Sequence, residues 1–148
     1  MNAFEHHSKI FMVVTIAWVL AQGFKVLNYY FKHHKINFRL FVGTGGMPSS
    51  HSSFVTSLAT AIGFESGFDS SVFYLAMGMA LIIMSDAAGV RRAVGQQATI
   101  LNEMMDDLYQ DKPIPPTRVK ELLGHTPTQV FAGAFLGIAV AVLFYKVL

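Results

Sequence analysis

Between Gly45 and Ser53 the chain reads GGMPSSHSS, a histidine among small hydroxyl side chains, glycine and proline, pressed against the apolar run that begins at Phe54. A second histidine, His125, stands in GHTPTQ before another apolar run, and the segment SDAAGVRR carries Asp86, Arg91 and Arg92. These residue types at helix starts suit the handling of a phosphate. Helix N-termini present backbone N–H groups that no helix carbonyl reaches, together with a partial positive charge. Serine hydroxyls and glycine backbone let tetrahedral oxygens approach closely, and lysine or arginine adds full charge. Of two imidazoles at such a place, one can attack phosphorus while the other protonates the departing alkoxide. Cations then stabilise the charge that builds on the equatorial oxygens.

These segments act together only if the fold brings them to one place. With 53% hydrophobic and 14% charged residues among 148 positions, the chain falls well short of the roughly one-quarter charge of a soluble domain. Its apolar residues gather in blocks at Ile10–Phe31, Ser50–Phe68, Val72–Val90 and Pro127–Val147, each near the ~20 residues that a bilayer core requires. The expected fold class is all-α: a polytopic membrane helix bundle of about four transmembrane helices, in a single membrane-embedded domain over residues 1–148. The first block is too long for a signal-peptide core and ends without a small-x-small pattern, so it reads as an uncleaved span. The second is rich in Ser, Thr, Ala and Gly, which places it inside the bundle, where small residues let helices come close. From Arg91 onward the rhythm Val94, Ala98, Leu101, Met105, Leu108 predicts an interfacial amphipathic helix. DKPIPP ends it, and a short helix from Thr117 to Leu123 is expected before Gly124.

With the spans in this order, GGMPSSH enters the second, SDAAGVRR leaves the third and GHTPTQ enters the fourth, all on one membrane side. Lys25 joins them in the last third of the first span, on a helical stripe with Gln22, Asn28 and Tyr29 that is expected to face the bundle or a wet cavity. The first loop carries Lys32, Lys35 and Arg39 and the third carries Arg91, Arg92, Lys112, Arg118 and Lys120, whereas the second carries only acids. Positive-inside counting therefore predicts a multi-pass integral membrane protein with the site on its cytoplasmic face. A net charge of +2 argues for no nucleic acid partner, and the lack of cysteine excludes disulfides and thiolate chemistry.

PSSHS at Pro48–Ser52 resembles the Pro-Ser-Gly-His motif of the type 2 phosphatidic acid phosphatase superfamily, which also includes vanadium-dependent haloperoxidases. With SDAAGVRRAVGQQA and GHTPTQVFAGAFLG following in order, the chain from Ala21 to Gly137 resembles the superfamily's divergent branch of small membrane proteins, called acid phosphatase/vanadium-dependent haloperoxidase-related. The resemblance implies hydrolysis of a lipid or isoprenoid phosphate monoester through a phosphohistidine, with no cofactor and no metal. It puts His51 in the place of the general acid, and Ser49 and Ser50 where serines contact phosphate. In the superfamily's third motif an arginine shortly precedes the nucleophilic histidine and an aspartate follows one helical turn later. Here Arg91 and Arg92 lie far upstream of His125, and Gln129 stands where the aspartate would be. The first motif is also broken, with Lys25 and Arg39 as its substitutes. A glutamine orients the imidazole but brings no charge; Asp86 supplies the missing carboxylate if the helix breaks at Gly89.

Plain readings stand beside these. TPTQ is a capping box with proline in the first helical position, which makes Gln129 a helix cap. Lys25 also fits a snorkelling side chain, Arg91 and Arg92 fit membrane anchors, and Glu103, Asp106 and Asp107 fit a solvated face. Two other functions compete with the hydrolase. In one, the pattern Asp86-x-x-Gly-x-Arg holds magnesium in a lipid kinase or transferase. In the other, the neutral Gln129 belongs to a non-catalytic phospholipid-headgroup binder or transporter. The partners expected are membrane lipid, a phosphorylated lipid substrate and a second copy of the chain that helps enclose the pocket.

Overall fold

A computed structural model describes residues 3–36, 41, 46–108 and 124–147, without side chains at 3–7, 91 and 92. Its elements are α1 (Ala3–His33), α2 (Ser50–Ser66), α3 (Ser71–Ala88), α4 (Val90–Leu108) and α5 (Pro127–Val147), and the described residues contain no strand. An all-α membrane bundle follows from this helical content and from its apolar surface. Three stretches, Ser8–His33, Ser71–Leu108 and Pro127–Val147, are long and apolar enough to cross a bilayer. The expected fourth span, α2, has only 17 residues and falls short of the length of those three. It is instead the central rod, packed against α1, α3 and α5.

Two local signals set the direction of the rods. Gly67 caps α2 at φ 93°, a left-handed backbone that favours glycine, and sends its N–H to the Gly63 carbonyl. Ser70 then caps α3 by accepting from Phe73 N at 3.2 Å, so α2 and α3 run antiparallel after a tight turn. α3 stops at Gly89, whose N–H bonds the Ser85 carbonyl at 2.8 Å, and α4 starts at once. The helix therefore does break at Gly89. α4 buries Ala98 and Asn102 while exposing Val94, Leu101, Met104 and Leu108. DKPIPP and the expected helix from Thr117 to Leu123 lie outside the described residues.

The contact of α2 with α5 is made by backbone rather than by large side chains. Gly133, Gly137 and Ala141 recur every fourth residue along one face of α5, and all are buried. A Cβ at Gly133 would run into the Ser49 carbonyl, and one at Gly137 into the Ser53 carbonyl and the Thr56 hydroxyl. Polar side chains on α2 close its remaining gaps. Thr56 Oγ1 donates to the Ala134 carbonyl at 3.1 Å, and Ser53 Oγ donates to the Ala17 carbonyl of α1 at 3.1 Å. At the far end Tyr145 donates to Glu65 at 2.8 Å and stacks on Phe64. Replacing Gly137 by leucine is expected to destabilise the bundle by about 1–3 kcal/mol or more through overpacking, read as a lowered melting temperature in detergent. Phe135→Ala, on the outward face of α5, is expected to change stability by no more than about 0.5 kcal/mol.

Candidate functional site

The site is assembled by backbone bonds between segments far apart in sequence. Ser49 N donates to the Gln129 carbonyl at 3.0 Å, which hooks the start of α2 onto the first turn of α5. His125 N donates to the Ala87 carbonyl at 3.1 Å, which hooks the start of α5 onto the last turn of α3. The two helix starts therefore lie together beside the end of α3, and neither has an acidic residue in its first turn. Each is also capped. The Ser49 hydroxyl accepts from Ser52 N at 3.3 Å, and Thr126 N donates to Gln129 Oε1 at 3.1 Å in the expected capping box.

On this frame the two imidazoles meet. The rings of His51 and His125 lie 6.2 Å apart between centroids, edge to face at 61°. His125 is buried, with Nδ1 3.1 Å from Gln129 Oε1. The Thr126 amide must donate, so the Gln129 atom it meets is the oxygen, and that oxygen in turn requires a proton on His125 Nδ1. The neutral ring then keeps its lone pair on Nε2, as a nucleophile needs. Gln129 thus does two things at once: it closes the cap and fixes the tautomer.

Lys25 is only 3% exposed, and its Nζ donates to Ser50 Oγ at 3.1 Å. It turns into the bundle rather than snorkelling to the surface. Asn28, one turn nearer the helix end, donates to the Met47 carbonyl at 3.0 Å and ties down the segment entering α2. Among the described residues the buried atoms Gln22 Oε1 and Ser52 Oγ have no hydrogen-bond partner, an uncommon state for buried polar atoms.

Of the residues singled out from the sequence, the fold gathers His51, His125, Lys25, Ser49, Ser50 and Gln129 at one end of the bundle. Ser49 is fully enclosed and its hydroxyl is taken up by the cap, so what it visibly does is shape the helix start. Asp86 lies in the last turn of α3, next to the Ala87 carbonyl that receives His125. Arg91 and Arg92 fall in the first turn of α4, where their side chains are not described, and Arg39 lies outside the described residues. Sequence reasoning missed Gly133 and Gly137, although the spacing in GAFLG is the signal that finds them. It also missed Trp18 and Ile83, which with Ser50, His51, Phe54 and Val55 line a cavity of about 310 Å³.

A family model described as "Divergent PAP2 family" matches residues 6–140. The chain belongs to the divergent PAP2 family. It is similar to the uncharacterized membrane protein YuiD of Bacillus subtilis (strain 168), at 41% identity over 82% of this chain and 84% of that one. No solved structure matches it. For a divergent PAP2 protein the histidine pair and its glutamine are the features that bear most directly on chemistry. Gln129→Leu is expected to cost about 1 kcal/mol through the lost cap and to release the Nδ1–H tautomer of His125. Thermal unfolding reads the first effect and ¹⁵N shifts of the His125 ring read the second.

Proposed function

We propose that this divergent PAP2 protein is a membrane phosphatase that hydrolyses a lipid or isoprenoid phosphate monoester through a phosphohistidine. The observation that carries the reading is the meeting of His51 and His125 at two merged helix starts, with His125 Nδ1 held by Gln129. The phosphate lies between the rings. Lys25 and the Ser50 hydroxyl, at the positive start of α2, face its oxygens. Arg39 and Arg91 or Arg92 complete the clamp, and the positively charged loops support a cytoplasmic position for the site.

His125 Nε2 attacks phosphorus and the bond to the alcohol oxygen breaks, while protonated His51 gives its proton to the departing alkoxide. Neutral His51 next takes a proton from water. The hydroxide formed attacks the phosphohistidine, the P–N bond breaks, and inorganic phosphate leaves with the His125 lone pair restored. A rigid pair of rings supplies orientation, and the cations supply charge stabilisation.

Gln129 favours a second reading, a phosphate-lipid binder without turnover, because an amide stabilises an imidazolium less than a carboxylate does. Purified protein in detergent with a chelator separates the two. The phosphatase releases phosphate from a lipid phosphate, and His125→Ala loses that release; binding without release establishes the binder. For the phosphatase, His51→Ala is expected to slow an alkyl phosphate by about 10²–10⁴-fold. It should slow a nitrophenyl phosphate far less, because that leaving group needs no proton. Equal losses on both substrates would remove His51 from the acid role.

A further inference from the structure

α1 and α3 both pack on α2, yet among the described residues their Cα atoms stay more than 8 Å apart. A cleft lies between them, with Trp18 of α1 on one wall, Ile83 of α3 on the other and Ser50, His51, Phe54 and Val55 of α2 completing its lining. A second cavity of about 220 Å³ adjoins it, with Phe54, Val55 and Ile83 in the lining of both. Past that shared border the lining is apolar throughout, running by Leu58 and Ala76 to Ile62 and Val72. The combined groove is therefore polar only at the His51 end. From His51 to Ile62 the helix rises roughly 16 Å, the length of an extended hydrocarbon of about twelve carbons.

We infer that the hydrocarbon chain of the substrate lies in this α2–α3 groove, entering between α1 and α3, and that Ala76 leaves the room midway that lets a long chain pass. The inference rests on the phosphatase reading for the position of the phosphate at His51. Continuity selects the occupant: a single-chain amphiphile with its phosphate between the histidines has its first carbons at Phe54 and Val55, where the second cavity begins. A larger apolar cavity of about 490 Å³ between α2, α3 and α5 lacks this property, since neither His51, His125 nor Lys25 lines it. On α3, Ile83, Met79, Ala76 and Val72 follow one another at helical spacing down the groove. Of these only Ala76 is small, so a bulky side chain there divides the groove in two.

The test compares dodecyl phosphate with butyl phosphate on wild type, Ala76→Phe and the milder Ala76→Leu, in a non-ionic detergent. The ratio of dodecyl to butyl hydrolysis is expected to fall at least about tenfold in Ala76→Phe and by less in Ala76→Leu. Ile82→Phe, on the outward side of α3, should leave the ratio unchanged. An unchanged ratio in both Ala76 variants overturns the groove and leaves the phosphatase standing. Trp18 is the single tryptophan of the chain, which gives a readout independent of turnover. Dodecyl phosphate brominated near its phosphate should quench Trp18 saturably, brominated dodecanol should not, and Ala76→Phe should raise the half-saturation at least about tenfold. Saturable quenching without phosphate release upholds the groove and overturns the phosphatase, whereas quenching that never saturates overturns the groove.

Discussion

The structure depends on the close approach of two backbones, α2 and α5, at Gly133 and Gly137. Lipid offers helices no hydrophobic gain for leaving it, so association in a bilayer rests on van der Waals contact and hydrogen bonds. Glycine at both positions brings carbonyl groups of α2 within contact of the α5 axis, and only at that distance can Ser49 N reach the Gln129 carbonyl. The same approach brings His51 within 6.2 Å of His125. Packing and site geometry are thus one constraint seen at two heights along the helices.

Charge adds a second layer. Lys25 is buried against the start of α2, where the helix already carries partial positive charge. A buried ammonium is costly without an opposite charge, and its bond to the Ser50 hydroxyl compensates only in part. No acid occupies the first turn of α2 or α5 to offset it. In the proposed reading, a phosphate dianion supplies the opposite charge at this end of the bundle. On that reading, the site that grips the anion also lowers the energy of a transition state carrying more charge on the same oxygens.

Much of this was legible in the residues. The span at Pro127–Val147, the cap of α5 and the convergence of separate segments on one end of the bundle follow from proline, glycine and hydropathy. α1 runs beyond its apolar stretch, from Ala3 to His33, because its polar flanks are themselves compatible with helix. Other features were not legible. Hydropathy cannot tell a buried Lys25 from a snorkelling one, since the answer lies in where the neighbouring Ser50 sits. The dual duty of Gln129 needs the bond to Thr126 N to orient its amide. The central place of α2 was foreseen from its small residues, but the partner it packs against most closely was not, since a stripe of small side chains names a face and no neighbour.

The separation of α1 from α3 changes what concentration means for this protein. In the proposed reading the ligand reaches the cleft from the leaflet, so encounters occur by travel in two dimensions. The relevant quantity becomes the mole fraction of ligand among the lipids rather than its molarity in water. Diluting the membrane with inert lipid at constant bulk composition would then starve the cleft as effectively as withdrawing the ligand.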